Sequence, residues 1–295
     1  LVELVAGKAK PWPSAQAQEQ FIDVLGIRID AQNRLWTLDN GGHGIKPAKL
    51  TAFDVTSGAV LREIVFARDI AGFGSHLNDF AVSPDGRSIY IADASFFAKT
   101  PALVVVDVAS GSARRLLQNH PSVVAEDFIP VVQGRVMQAL GLVAIRPGVD
   151  SIALSRDGAW LYYAPITNRH LYRVASTALL DTALKPEALA ATVEVLPPKT
   201  MADGITTDNE GHVYLSDLEH SAVLRYTPAT GAMTTLVKTE RLRWPDGFSF
   251  GPDGWLYVTG SSLQHVIGQL PSSVAEHAPY QVFRFQPGAT APAGH

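Results

Sequence analysis

The chain has 295 residues, of which 46% are apolar and 18% charged, and its formal net charge is −4. That balance supplies a large core and argues against disorder, and without a basic run there is no electrostatic footprint for nucleic acid. No segment approaches the ~18 consecutive apolar residues of a membrane helix, and the absence of cysteine excludes disulfides, thiolate metal sites and a cysteine nucleophile.

In chain order, LVELVAGKAKPWP lacks the basic start and apolar core of a signal peptide and reads as two outer strands of a sheet. At Leu25 begins LGIRIDAQNRLWTL, followed by the strands AKLTAFDVTSG and VLREIVFA. Four further segments repeat the pattern: NDFAVSPDGRSIY from Asn78, DSIALSRDGAWLYY from Asp150, DGITTDNEGHVYL from Asp203 and DGFSFGPDGWLYV from Asp246. In each of these four a polar residue stands eight positions before a turn glycine (Gly86, Gly158, Gly211 and Gly254); in the first copy Leu25 and Asn33 occupy those places. Apolar strands flank tetrads such as SPDG and DNEG, which read as tight hairpin turns needing positive φ. Outer strands follow: ALVVVDVASG with ARRLL, HLYRVAS with TVEVLP, AVLRYTPATG with MTTLVK, and YQVFRFQPG at the end. Two stretches interrupt the rhythm. Gln118 to Arg146 reads as an inserted loop near the third hairpin, a candidate lid, and Ser176 to Ala191 has helical character.

Repeats of four-stranded units at roughly 40–50 residues are the signature of a β-propeller. The expected architecture is a single all-β domain over residues 1–295, a six-bladed propeller lacking the inner hairpin of its first blade at the N-terminus, in a fragment or truncated form of a longer chain. Five blades is the alternative. In a blade the inner strand runs from one face to the other at ~3.3 Å per residue, so Asn78, Asp150, Asp203 and Asp246 should meet at one mouth of the central channel. The returning strands should end there too, at Asp39, Asp93, Pro165, Asp217 and Gly260. The turn residues Asp85, Asp157, Asn209 and Asp253 belong to the other face and have a structural role.

Converging carboxylates either raise a pKa or recruit a cation, and all-oxygen ligands suit Ca²⁺ or another hard divalent ion. The competing expectation is that each Asp caps its own strand by accepting backbone N–H groups. His76 is the best placed general acid or base, with His43, His220 and His265 on neighbouring loops. His212 lies on the far face. Phe73, Phe96, Phe97 and Trp244 are candidates for an apolar wall above the ring. No GxSxG elbow and no phosphate loop in its strand–loop–helix context is present.

LGIRIDAQNRLWTLDNG, HLNDFAVSPDGRSIYIAD, RPGVDSIALSRDGAWLYYAP, ADGITTDNEGHVYLSDLEHSAV and WPDGFSFGPDGWLYV together resemble the yellow/major royal jelly protein family in its bacterial branch, over about Leu25 to Tyr257. The resemblance implies a propeller similar in architecture to the gluconolactonase/senescence-marker group, which has six blades and a divalent metal on the axis held by Asn, Asp and Glu. By position Asn78, Asp150, Asp203 and Asp246 match that metal ring, while the N-terminal Glu of those enzymes has no counterpart here. It also implies a secreted or periplasmic protein. Two functions follow as expectations. One is a lactonase- or esterase-like hydrolase in which Ca²⁺ polarises a carbonyl, Asp203 or Asp246 positions or deprotonates water, and His76 assists. The other is a non-catalytic yellow-type protein that binds a small aromatic or amine ligand at the same mouth. A protein–protein interaction propeller is disfavoured, because such a surface needs no convergent carboxylates.

Overall fold

The computed structural model describes residues 1–139, 142–292 and 294–295. All five repeated segments fold as antiparallel hairpins. Their turns sit where the sequence places them: Asn33, Gly86, Gly158, Gly211 and Gly254 all have positive φ. Asparagine is one of the few residues that replaces glycine there at small cost.

Further strands extend each hairpin outward into a blade. Blade 1 comprises Val24–Ile29, Arg34–Asp39, Lys49–Asp54 and Val60–Val65. Blade 2 comprises Leu77–Val82, Ser88–Asp93, Ala102–Asp107 and Ala113–Leu116. Blade 3 comprises Val149–Leu154, Trp160–Pro165, His170–Ala175 and Glu194–Pro198. Blade 4 comprises Ile205–Thr207, Val213–Asp217, Ala222–Thr227 and Ala232–Lys238. Blade 5 has three strands, Pro245–Phe250, Leu256–Gly260 and Gln281–Phe285. The N-terminal residues form a separate hairpin, Val2–Val5 with Lys8–Pro11. The helical stretch expected from Ser176 to Ala191 folds as two short helices, Ser176–Leu180 and Pro186–Ala190.

The core lies between blades. Trp36 and Leu50 of blade 1 pack with Phe80 and Ile89 of blade 2, Tyr90 and Leu103 with Leu161 and Tyr163 of blade 3, and Tyr214 of blade 4 with Phe248 and Leu256 of blade 5. Full burial of each such side chain is worth about 1.5–3 kcal/mol. At the channel the inner strands approach so closely that a Cβ on Gly26 would lie 2.7 Å from the Asn78 carbonyl oxygen, and one on Gly204 1.9 Å from that of Asp246. Ser151, the equivalent residue of blade 3, donates its hydroxyl to the Asp203 carbonyl. Each of these residues meets the carbonyl of the next blade's polar position.

That packing stops at blade 5. A Cβ on Gly247 would meet only Thr259 of its own blade, at 3.4 Å. Across the gap, Leu25, Ile27 and Ile29 of the blade 1 inner strand are 41%, 44% and 43% exposed. A cavity of about 1260 Å³ opens between these two flanks and continues into the channel.

The insertion at Gln118 to Arg146 forms two small hairpins, Val131–Val132 with Arg135–Val136 and Gln138–Ala139 with Val143–Ala144. Residues 140 and 141 of that insertion lie outside the described residues. Val132, Met137 and Ile145 pack on Ile166, Met201 and Trp244 in a cluster of their own. Gln133 ties the insertion to distant blades, donating to Ser221 Oγ at 2.8 Å and to the Glu240 carbonyl at 3.1 Å. The insertion therefore roofs part of the mouth.

Candidate functional site: an acidic channel mouth

The inner strands carry one shared irregularity. Pairing jumps from Val24–Asp39 to Gly26–Leu38 in blade 1, from Leu77–Asp93 to Phe80–Ile91 in blade 2, from Val149–Pro165 to Ser151–Ala164 in blade 3 and from Pro245–Gly260 to Phe248–Val258 in blade 5. Each jump inserts one extra residue, a β-bulge, which bends the strand and re-aims side chains. The bulges fall at Leu25, Asn78 with Asp79, Asp150, and Asp246 with Gly247. In blades 1, 2, 3 and 5 the repeated position is thus the bulge position. In blade 2 the bulge directs both Asn78 and Asp79 to the cavity, whereas strict strand alternation would have sent them to opposite faces.

Asn78, Asp79, Asp150, Asp203 and Asp246 all line the cavity. Asn78 Nδ2 donates to Asp150 Oδ1, and the indole Nε1 of Trp244 donates to Asp203 Oδ2 at 2.5 Å. Arg28 faces Asp79 at 3.6 Å. Burial, reinforced by Asp79 and Asp246 and partly offset by the Asn78 amide, pushes Asp150 up to about 8. Burial and the neighbouring Asp150 raise Asp203 well above the carboxylate range, against the Trp244 hydrogen bond. Asp246 is raised by burial and then by Asp203 and Asp79. Asp79 is raised by burial against the pull of Arg28.

Strand capping does not explain these carboxylates. Among the described residues none of the four accepts a backbone N–H. That duty falls to the ends of the returning strands. Asp39 accepts from the backbone of Ile22, Asp23 and Gly41. Asp93 accepts from His76 and Ser95, and Asp217 from Glu219 and His220.

Of the histidines, His43, His76 and His295 line the cavity; His295 is bonded to Thr207 Oγ1 at 2.8 Å, and His43 and His76 face one another through their Nδ1 atoms at 3.0 Å. Burial, then the adjacent His43, pulls His76 down to about 4, so it is neutral at pH 7. His220 is held by Asp217 at 2.9 Å, and His265 stacks on His277 at 3.9 Å; neither lines the cavity. His212 lies on the turn face, as expected, where its ring and the Tyr214 hydroxyl both bond Asp208 at 2.8 Å. Phe96, Phe97 and Trp244 wall the mouth with Ile145, Leu263 and Ile267. Phe73 points away and is 74% exposed. Sequence reasoning missed Asp79, hidden by the bulge, and Arg28, which alternation along the first strand would have brought forward.

The ring's donor chemistry fits a hard divalent ion: carboxylate and amide oxygens, buried or half-buried, with Arg28 facing Asp79 beside them. Its carboxylates, taken without Asn78, are not gathered into a group of three within 4.8 Å. Among the described residues, the one group of three His, Asp or Glu side chains whose ligand atoms lie within 4.8 Å of one another is Asp208, Glu210 and His212 on the opposite face. The Asp208 carboxylate is already engaged by two backbone N–H groups, the His212 ring and Tyr214, which makes that group a turn brace.

Fold and site together define a β-propeller with an acidic channel mouth roofed by an inserted loop. The chain belongs to the major royal jelly protein family, whose model matches residues 22–269. It is 30% identical to major royal jelly protein 5 of Apis mellifera over 174 residues, covering 55% of this chain and 27% of that one. With major royal jelly protein 7 of the same organism it shares 27% identity, covering 55% and 37%. The matches thus span about a quarter to two fifths of these relatives' length. Among solved structures it resembles a luciferin-regenerating enzyme (TM-score 0.57, 16% identity, 92% of this chain and 80% of that one). It also resembles a gluconolactonase from Xanthomonas campestris (TM-score 0.51, 17% identity, 80% and 68%). At these identities the likeness shows the fold alone.

Proposed function

We propose that this protein is a small-molecule hydrolase acting on a lactone or related ester, with a divalent cation, Ca²⁺ by ligand chemistry, held by Asn78, Asp150, Asp203 and Asp246. The observation that carries this reading is the set of buried and half-buried carboxylates that cap no strand, face Arg28 as counter-charge and open into an apolar-walled cavity. Such perturbed groups in a cleft mark functional sites. A bound cation would supply Lewis-acid polarisation of the substrate carbonyl. Asp203, oriented by Trp244, and Asp246 across the ring position or deprotonate the attacking water. The walls favour a substrate with an aromatic or alkyl body over a polyhydroxylated sugar lactone, which needs polar partners that Phe96, Phe97 and Ile145 do not offer.

The test is hydrolysis of dihydrocoumarin and of glucono-1,5-lactone with and without Ca²⁺. Turnover of the aromatic lactone that chelation abolishes and Asp203→Asn removes supports the proposal. Turnover indifferent to chelation sinks it.

One arrangement favours a second reading, a non-catalytic binder. An acidic floor beneath aromatic walls is the chemistry that recognises an aromatic amine. An amine bound at micromolar affinity and recovered unchanged would select this alternative.

The open flanks of blades 1 and 5, where the C-terminal residues meet Phe250 N through the His295 carbonyl at 2.7 Å, support a six-bladed ring as the complete form. A sixth inner hairpin in the gap would cover Leu25, Ile27 and Ile29 and give Gly247 its missing neighbour. One domain over residues 1–295 and a secreted or periplasmic setting complete this reading. Among the described residues no helix is long and apolar enough to cross a membrane.

A further inference from the structure

The loop Gly41–Gly44 holds four consecutive residues in the left-handed region, with φ of 67°, 65°, 58° and 69°. Glycine takes this backbone freely, and His43 is the one residue of the four that does so at a cost. The surroundings hold it there. Asn40 Oδ1 accepts the His43 N–H at 2.9 Å, Asp39 Oδ1 accepts that of Gly41 at 3.0 Å, and Gly74 N donates to the His43 carbonyl at 2.8 Å. The result is a single placement for the His43 ring. It meets His76, whose own N–H is fixed by Asp93 at 2.7 Å, and the edge of Phe97 with centroids 4.8 Å apart.

The two imidazole planes are 19° apart and their centroids 4.7 Å apart, yet their Nδ1 atoms are separated by only 3.0 Å. That is an N–H···N hydrogen bond, so one Nδ1 carries the proton and the other accepts it. With both rings uncharged, a pair bonded in this way holds opposite tautomers. The ring with Nδ1–H has a bare Nε2, and its partner has Nε2–H. Among the described residues neither Nε2 has a hydrogen-bond partner, and both rings line the cavity that contains the carboxylates. The cavity is therefore offered one proton acceptor and one proton donor, joined by a shared proton.

We propose that His43 and His76 work as one proton-relay pair in the hydrolysis, which leaves Asp203 and Asp246 to hold and orient. The role rests on the hydrolase reading. As the water oxygen bonds to the acyl carbon, its proton passes to the bare Nε2. The Nδ1 proton of that ring crosses to the partner's Nδ1. The partner's Nε2 proton goes to the ring oxygen of the lactone as the acyl C–O bond breaks. Lactone and water become a hydroxy acid, no charge accumulates on the pair, and the two tautomers have exchanged places. The next turnover runs the relay the other way or follows exchange with solvent.

Two measurements test this on the full chain with Ca²⁺. In dihydrocoumarin hydrolysis, His43→Gln and His76→Gln should each lower kcat about 10²-fold with KM within about twofold. The double variant should be no slower than the slower single, because a relay fails as a unit. His43→Asn accompanies them, since asparagine tolerates the left-handed backbone, and it should show the same loss. Single losses under about threefold, or losses that multiply in the double variant, overturn the relay while the hydrolase reading stands. Imidazole ¹⁵N spectra of the resting protein should show one Nδ1–H and one Nε2–H tautomer; two identical tautomers overturn the pair whatever the kinetics. If the wild-type chain hydrolyses nothing, the hydrolase reading fails and the relay role falls with it, even where the shared proton is seen.

Discussion

Aspartate stands at both ends of the inner hairpins, and the two ends treat it in opposite ways. On the turn face Asp85 and Asp157 are exposed, accept hydroxyl bonds from Ser83 and Ser155 at 2.6 Å, and are held below the ordinary carboxylate range by those bonds. At the mouth Asp150 and Asp203 are buried and Asp246 half-buried; they crowd one another and are held well above it. One residue type thus performs turn chemistry at one end of the hairpins and resists ionisation at the other. Burial and neighbours, not identity, decide which.

The largest expected effect is on activity. Asp203→Asn should lower lactone turnover by at least ~10³-fold, and Asp157→Asn should leave it within about twofold. Steady-state kinetics on the two variants checks the contrast, and comparable losses would erase the distinction between the faces.

The pH dependence of stability comes next. The folded pKa of Asp150 is raised, so its contribution is fully present below the unfolded value near 4 and is lost as pH rises through about 8. Asp203 and Asp246 act in the same direction. The metal-free protein should therefore lose Tm from pH 4 to 8, and Ca²⁺ should raise Tm more at pH 8 than at pH 5, since binding requires the carboxylates to release their protons. Turn-face aspartates have lowered pKa values and act oppositely: their stabilisation is present above about 4 and is lost as pH falls through the folded value. Scanning melts by pH with and without chelator separates the two contributions.

Trp244→Phe keeps the mouth wall but removes the indole donor to Asp203. It should cost about 1–3 kcal/mol if a buried acceptor is left without a partner and lower kcat about 10-fold; unchanged kinetics would show that the indole does not orient Asp203. The smallest effect belongs to Asp85→Ala, which should destabilise by about 0.5–1 kcal/mol in chemical denaturation without changing turnover.

Much of this was legible in the sequence, for local reasons. The turn glycines and Asn33 announce themselves by type and spacing, and the offset of eight residues fixes which residues share the mouth. The strand ends at Asp39, Asp93 and Pro165 fell where the repeat put them. What stayed hidden depends on departures from regular structure or on distant contacts. The bulge at Asn78 and Asp79 doubles the polar contribution of blade 2, and an extra residue leaves no mark in an apolar pattern. Capping went to the Asp residues of the returning strands and not to the ring, a distinction that needs the backbone N–H directions. GGHG contained the clue to a left-handed loop in its three glycines, but the meeting of His43 with His76 across 33 residues is tertiary. The roof follows from Gln133 reaching Ser221 and Glu240, again beyond local reading.

The most direct test of the central claim, that the mouth carboxylates form a cation site, is calorimetric titration of the chelator-stripped protein with Ca²⁺ at pH 7 and 8. The account predicts a single site whose affinity rises with pH, lost in Asp203→Asn and retained in Asp208→Asn. Binding that is absent at both pH values, or that survives Asp203→Asn and disappears with Asp208→Asn, would contradict it.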